Sequence, residues 1–86
     1  MNISVELTLT PLQDNFEPAI IDFIKALRIS GLKIQENPLS TQVYGTYDQV
    51  MAVLQTEMKI ALESIDRGLL YIKIVKSDRS DYEPHF

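Results

Sequence analysis

Two helix-period segments, each embedded between segments that alternate every second residue, decide what this chain can fold into. Ile3, Val5, Leu7 and Leu9 alternate with Ser4, Glu6 and Thr8, the pattern of a strand with one face on a core. Pro11 is expected to stop it. Asp14 followed by Glu17 reads as a capping box, and Phe16, Ile20, Phe23, Ile24 and Leu27 then recur at three- and four-residue steps. Ser30-Gly31 marks the end of that helix. Leu32 and Ile34 open a second short strand, Asn37-Pro38 breaks it, and Thr41-Gln42-Val43-Tyr44 opens a third. Thr46 with Gln49 caps a second helix along Val50, Leu54, Met58, Ala61, Leu62 and Ile65, ending near Arg67-Gly68. Leu69 to Val75 is a last strand, with Leu70, Ile72 and Ile74 on one side and Tyr71, Lys73 and Val75 on the other.

This order, strand-helix-strand-strand-helix-strand, predicts an α+β fold: a ferredoxin-like βαββαβ sandwich with a four-stranded antiparallel sheet and two helices on one face. Residues 1–76 form the expected ligand-binding domain and residues 77–86 a C-terminal tail. The tail is polar at first but ends in Tyr82-Glu83-Pro84-His85-Phe86, too aromatic for a typical disordered segment, and is expected to dock on its own or a neighbouring subunit. The helix-free face would carry Ser4, Glu6, Thr8, Tyr44, Tyr71 and Lys73, a mixture suited to a subunit interface or a ligand, or simply to solvent.

Composition excludes several classes of function. Eighty-six residues leave no room for a second core, and the chain has no cysteine for a disulfide or redox chemistry. A core this small gains most from oligomerisation, so the chain is expected to partner itself. Twelve acids against eight bases give a net charge of −4, which disfavours nucleic-acid phosphates. No stretch approaches the ~18 apolar residues of a membrane span, and the N-terminus lacks a basic, apolar leader; a cytoplasmic location is expected.

Catalytic signatures are missing as well. His85, the only histidine, stands second from the end, where a frayed terminus would hold a base poorly. Gly31, Gly45 and Gly68 are too far apart for a phosphate loop. Asp78, Asp81 and His85 lack metal-ligand spacing and read better as a solvated tail, so no metal or cofactor is expected. Ser40 and Thr41 follow Asn37-Pro38-Leu39 at a strand entrance, where hydroxyls either line a pocket or satisfy the turn.

Taken in order, several of these features resemble the YkoF-like thiamine-binding family. They are Thr10-Pro11-Leu12 with Asp14 and Phe16, Ala26-Leu27 with Ser30-Gly31-Leu32, Pro38-Leu39-Ser40-Thr41 with Val43 and Gly45, and Asp48-Gln49-Val50-Met51. The resemblance implies non-enzymatic binding of thiamine or its hydroxymethylpyrimidine half, for carriage, sensing or supply, by a homodimer or homotetramer. It places Thr41 and Ser40 at the ligand and, by analogy, Thr8 and Thr10 on the neighbouring wall. Threonine hydroxyls and strand-end carbonyls suit an aminopyrimidine, and the face of Tyr44 or Tyr71 could hold the thiazolium cation. The alternative is a regulatory or assembly module whose polar sheet face serves only oligomerisation. An acylphosphatase-like enzyme on the same fold would need an arginine and a glycine-rich loop where Gln13-Asp14-Asn15 stands.

Overall fold

Alternation over the first residues becomes, in a computed structural model describing Met1–Phe86, the central strand of the protein. The elements are β1 (Asn2–Pro11), α1 (Glu17–Arg28), β2 (Lys33–Glu36), β3 (Thr41–Thr46), α2 (Tyr47–Glu63) and β4 (Gly68–Val75). One antiparallel sheet runs in the order β2-β3-β1-β4, the ferredoxin-like arrangement, with both helices on one face. The expected βαββαβ sandwich is the fold.

The core is made where the two periods meet. Ile3, Val5, Leu7, Leu9 and Val43 point from the sheet at Ala19, Phe23 and Leu27 of α1 and at Val50, Leu54 and Ala61 of α2. Each fully buried Leu or Val there contributes about 1.5–3 kcal/mol relative to an exposed one, whereas an exposed ion pair contributes ~0–1. Burial of these side chains therefore outweighs the surface pair Arg28–Glu36, even though that pair is bidentate at 2.7 Å.

Local expectations hold at Pro11, Thr46 and Gly31 and fail at Asp14. Pro11 ends β1 as expected, as the strand's last residue, opposite Gly68. Leu12 donates its N–H to the Arg67 carbonyl at 2.8 Å, so hydrogen-bonded pairs of the β1–β4 ladder fall at Leu12–Arg67 and every second pair back. Pro11 lies between two of them, and its missing N–H costs no bond to β4. The Asp14 capping box does not form: Phe16 occupies the N-cap without a side-chain bond, and proline in the first turn removes one of the donors a cap would serve. Thr46, by contrast, caps α2 by accepting from the Gln49 N–H at 3.4 Å. Gly31, at φ +86°, takes the left-handed turn that lets the chain leave α1 for β2.

After β4 the chain folds back over the helix-free face. Ser4, only 6% exposed, donates to the Ser77 carbonyl at 2.7 Å and accepts from the Arg79 N–H at 2.8 Å. Gln35 donates to the Ser80 carbonyl and Lys33 pairs with Asp81 at 3.2 Å, so Ser77 to Asp81 spans β1 to β2.

Candidate functional site

The sheet is uneven at one end, and a pocket occupies the step. The β1–β3 ladder ends at Leu7–Thr41, while β1 continues to Pro11. Leu9 is two residues beyond that last pair, so its N–H and C=O point toward the side where β3 is no longer present. No backbone hydrogen bond outside the regular elements takes either group. Into the gap bends the β2–β3 turn. It is held by Asn37, whose Oδ1 accepts from the N–H groups of Leu39 and Ser40 at 2.9 and 3.0 Å, while its own N–H donates to the Ser40 carbonyl at 3.1 Å.

Between this turn, the strand ends and α1 lies a cavity of about 220 Å³. Leu7, Leu9, Ile20, Phe23 and Ile24 form its apolar walls, and Thr8, Ser40, Thr41 and Asn37 supply its polar edge. None of the residues lining it is titratable.

Its three hydroxyls differ in what they already do. Thr8 Oγ1 donates to the Leu39 carbonyl at 3.3 Å. Ser40 Oγ donates to Glu6 Oε2 at 3.0 Å and accepts from Gln42 Nε2 at 2.6 Å. Thr41 is 6% exposed, and its hydroxyl bonds to no group of the chain. No polar side-chain atom that is wholly buried lacks a partner, so the Thr41 oxygen keeps its residual exposure, and Thr41 lines the cavity. A hydroxyl in this position both donates and accepts toward whatever enters.

Of the residues singled out from the sequence, the structure brings together Thr41, Ser40 and Thr8 and leaves Thr10 and Tyr44 apart. Strand alternation is what parts Thr41 from Tyr44. Thr41 opposes Leu7 and so shares the helix-facing side of the sheet, whereas Tyr44 opposes Ser4 on the helix-free side. There Tyr44 is 9% exposed, with its hydroxyl donating to Gln35 Oε1 at 3.1 Å. Thr10 opposes Leu69 near the far end of β1. The helix-free face and the Ser40-Thr41 corner are thus two places rather than one. Glu6 and Lys73 stand opposite each other in register but form no ion pair, and Glu6 is instead bonded by Ser40. Sequence reasoning did not pick out Leu9, Phe23 or Asn37 for the pocket. Asn37-Pro38 was visible as a turn, but the overhang that frees Leu9 depends on the relative lengths of two paired strands.

Over residues 5–86 the sequence matches the family described as thiamine-binding protein. The chain belongs to that family. This is a binding family, in keeping with the resemblance read from the sequence. Among solved structures, the chain is similar to a Thermotoga maritima protein named for an inferred role in thiamine biosynthesis or salvage, at TM-score 0.80 and 18% identity, covering 90% of this chain and 85% of that one. It is also similar to a Streptococcus pneumoniae protein, at TM-score 0.83 and 22% identity, covering 91% and 89%. A Methanocaldococcus jannascii protein described as hypothetical follows at TM-score 0.73 and 21% identity, covering 95% and 84%. At these identities the likenesses establish the fold alone. No curated protein sequence matches the chain. No helix is long and apolar enough to cross a membrane.

Proposed function

We propose that this protein binds thiamine or its hydroxymethylpyrimidine half, without turnover, as a homo-oligomer serving carriage, sensing or supply. The observation that carries the reading is the Thr41 hydroxyl, nearly buried, free of protein partners and set among apolar walls. A cavity of about 220 Å³ falls below the ~300–1,000 Å³ of sites that enclose drug-sized ligands, so it suits one ring better than two. A flat aminopyrimidine fits: Phe23, Ile20 and Ile24 cover its faces, and Thr41 with the free Leu9 N–H and C=O meets its ring nitrogens and amino group. The thiazolium then stays outside. Glu6, one hydrogen bond from the lining residue Ser40, supplies a nearby negative charge from the helix-free side. The absence of any titratable side chain in the lining argues for holding a ligand rather than transforming it.

Isothermal titration with thiamine, hydroxymethylpyrimidine and the isolated thiazole tests this. The expected result is saturable heat with the first two and none with the third. No heat from either pyrimidine at high micromolar concentration would sink the reading.

A further inference from the structure

Where the tail crosses the helix-free face it leaves a groove of about 660 Å³, which shares no lining residue with the Thr41 cavity on the other side of the sheet. Its floor is Tyr44, Lys73 and Val75, and its tail wall is Arg79, Ser80 and Tyr82. In a chain of twelve acids and eight bases, this groove holds two cations and no carboxylate.

The donors there divide into those already used and those left open. Tyr44 gives its hydroxyl to Gln35 Oε1, and Gln35 Nε2 donates to the Ser80 carbonyl. Arg79 donates its backbone N–H to the buried Ser4 hydroxyl and its Nε–H to Ser77 Oγ, both at 2.8 Å. The tail thus holds the guanidinium at one nitrogen, while its two terminal nitrogens have no partner in the chain. Lys73 Nζ has none either, since it stands opposite Glu6 without forming an ion pair and Glu6 Oε2 accepts from Ser40. A fixed guanidinium with free N–H groups and an ammonium facing the same space together match the oxygens of a phosphate.

We propose that this groove binds a phosphate monoester, with its oxyanion between Lys73 and Arg79 and its organic part against the ring of Tyr82. The net charge of −4 does not oppose this, because charges beyond the ~8 Å screening length of physiological salt count for little beside two cations in contact. Of the acids that flank Arg79 and Ser80, Asp81 is paired with Lys33 and Asp78 accepts from the Ser80 N–H. Glu6 borders only a smaller recess beside Lys73, so the oxyanion belongs on the tail side of the groove. Tyr82, 62% exposed, has ring surface left to cover. Arg79, Ser80 and Tyr82 line the groove only while the tail is docked, so ligand and docked tail stabilise each other.

Titration of the intact chain with inorganic phosphate and with phenyl phosphate, followed by calorimetry and amide chemical shifts, tests the proposal. Saturable shifts are expected at Lys73, Arg79 and Ser80 and none at Thr41. Phenyl phosphate should bind more tightly than inorganic phosphate and slow hydrogen exchange at the Arg79 N–H. Lys73→Met and Arg79→Lys should each weaken phenyl phosphate by about ten-fold or more, the second because it keeps the charge and loses the fork. Lys76→Met removes an equal charge outside the groove and should leave the affinity within about two-fold. All three side chains are exposed, so these variants should fold as the natural chain does. No saturable shift with either compound at low millimolar concentration, inorganic phosphate binding as tightly as phenyl phosphate, or Lys76→Met costing as much as Lys73→Met would overturn the proposal.

Discussion

Ser4 and Thr41 are both polar, both on central strands and both 6% exposed, yet they occupy opposite faces of the sheet and opposite situations. Ser4 uses its hydroxyl twice, toward Ser77 and Arg79, and fastens the tail. Thr41 uses its hydroxyl for nothing within the chain and looks into a cavity. A buried polar group that is satisfied contributes to folding. One left open at the edge of a pocket is a hydrogen-bonding group held in reserve for a ligand. Burial alone would have ranked the two as equals.

The harshest way to break the contrast is to remove the wall they do not share. Phe23, 5% exposed, belongs both to the core and to the pocket lining. Phe23→Ala should cost about 3–5 kcal/mol in denaturant unfolding and abolish pyrimidine binding, while the tail stays docked in hydrogen exchange at Arg79. A cost under ~1 kcal/mol would mean that α1 is not packed as described.

Thr41→Val separates function from folding more cleanly. The two side chains have nearly the same shape, and no protein group loses a partner. Stability should therefore change by less than about 1 kcal/mol, while ligand affinity falls by ~1–3 kcal/mol, roughly five- to more than a hundred-fold by titration. A large loss of stability with intact binding would turn the comparison around and make Thr41 the structural residue. Ser4→Ala is the counterpart. Leaving the Arg79 N–H and Ser77 carbonyl to water should cost about 1 kcal/mol and speed exchange along the tail, with ligand affinity unmoved.

How much of this was legible beforehand follows the same division. The period-two and period-3.6 patterns carried the element order and the core, since Ile3, Val5, Leu7 and Val43 are fixed by alternation and Phe23 and Leu27 by helical spacing. Alternation also holds the information that Thr41 shares a side with Val43 and that Tyr44 does not, so two of the expected contacts could have been parted from sequence. Leu9 could not. Its free backbone exists only because β3 is shorter than β1 and ends opposite Leu7. Nor could the docking of the tail on Ser4, seventy-three residues away, which no local pattern encodes. The failed cap at Asp14 has a local cause, the proline in the first turn of α1.

The smallest expected effect concerns acid, and it can be read separately at the two corners. At the pocket corner, the two hydrogen bonds from Arg28, and its charge, hold the Glu36 carboxyl below the usual carboxylate range. At the tail corner, hydrogen bonds from Ser80 lower Asp78. A carboxylate lowered by folding stabilises the fold above its unfolded pKa, and the contribution fades as pH falls through the folded value. The Glu36 corner should therefore loosen as pH falls below about 4.5 and the Asp78 corner below about 3.8, both modestly, since these groups lie at the surface. Glu36→Gln should flatten that acid limb of the Tm profile only in part and leave exchange at Ser80 as acid-sensitive as before. Asp78→Asn should remove the sensitivity at Ser80 and leave the Arg28 end of α1 unchanged. If either variant flattened both responses, the two corners would be one cooperative unit, and the separation of the tail from the pocket would fail. Glu36 ends β2 immediately before Asn37, so loosening there reaches the turn that carries Ser40 and Thr41. Pyrimidine affinity should weaken in acid for the natural chain and less steeply for Glu36→Gln.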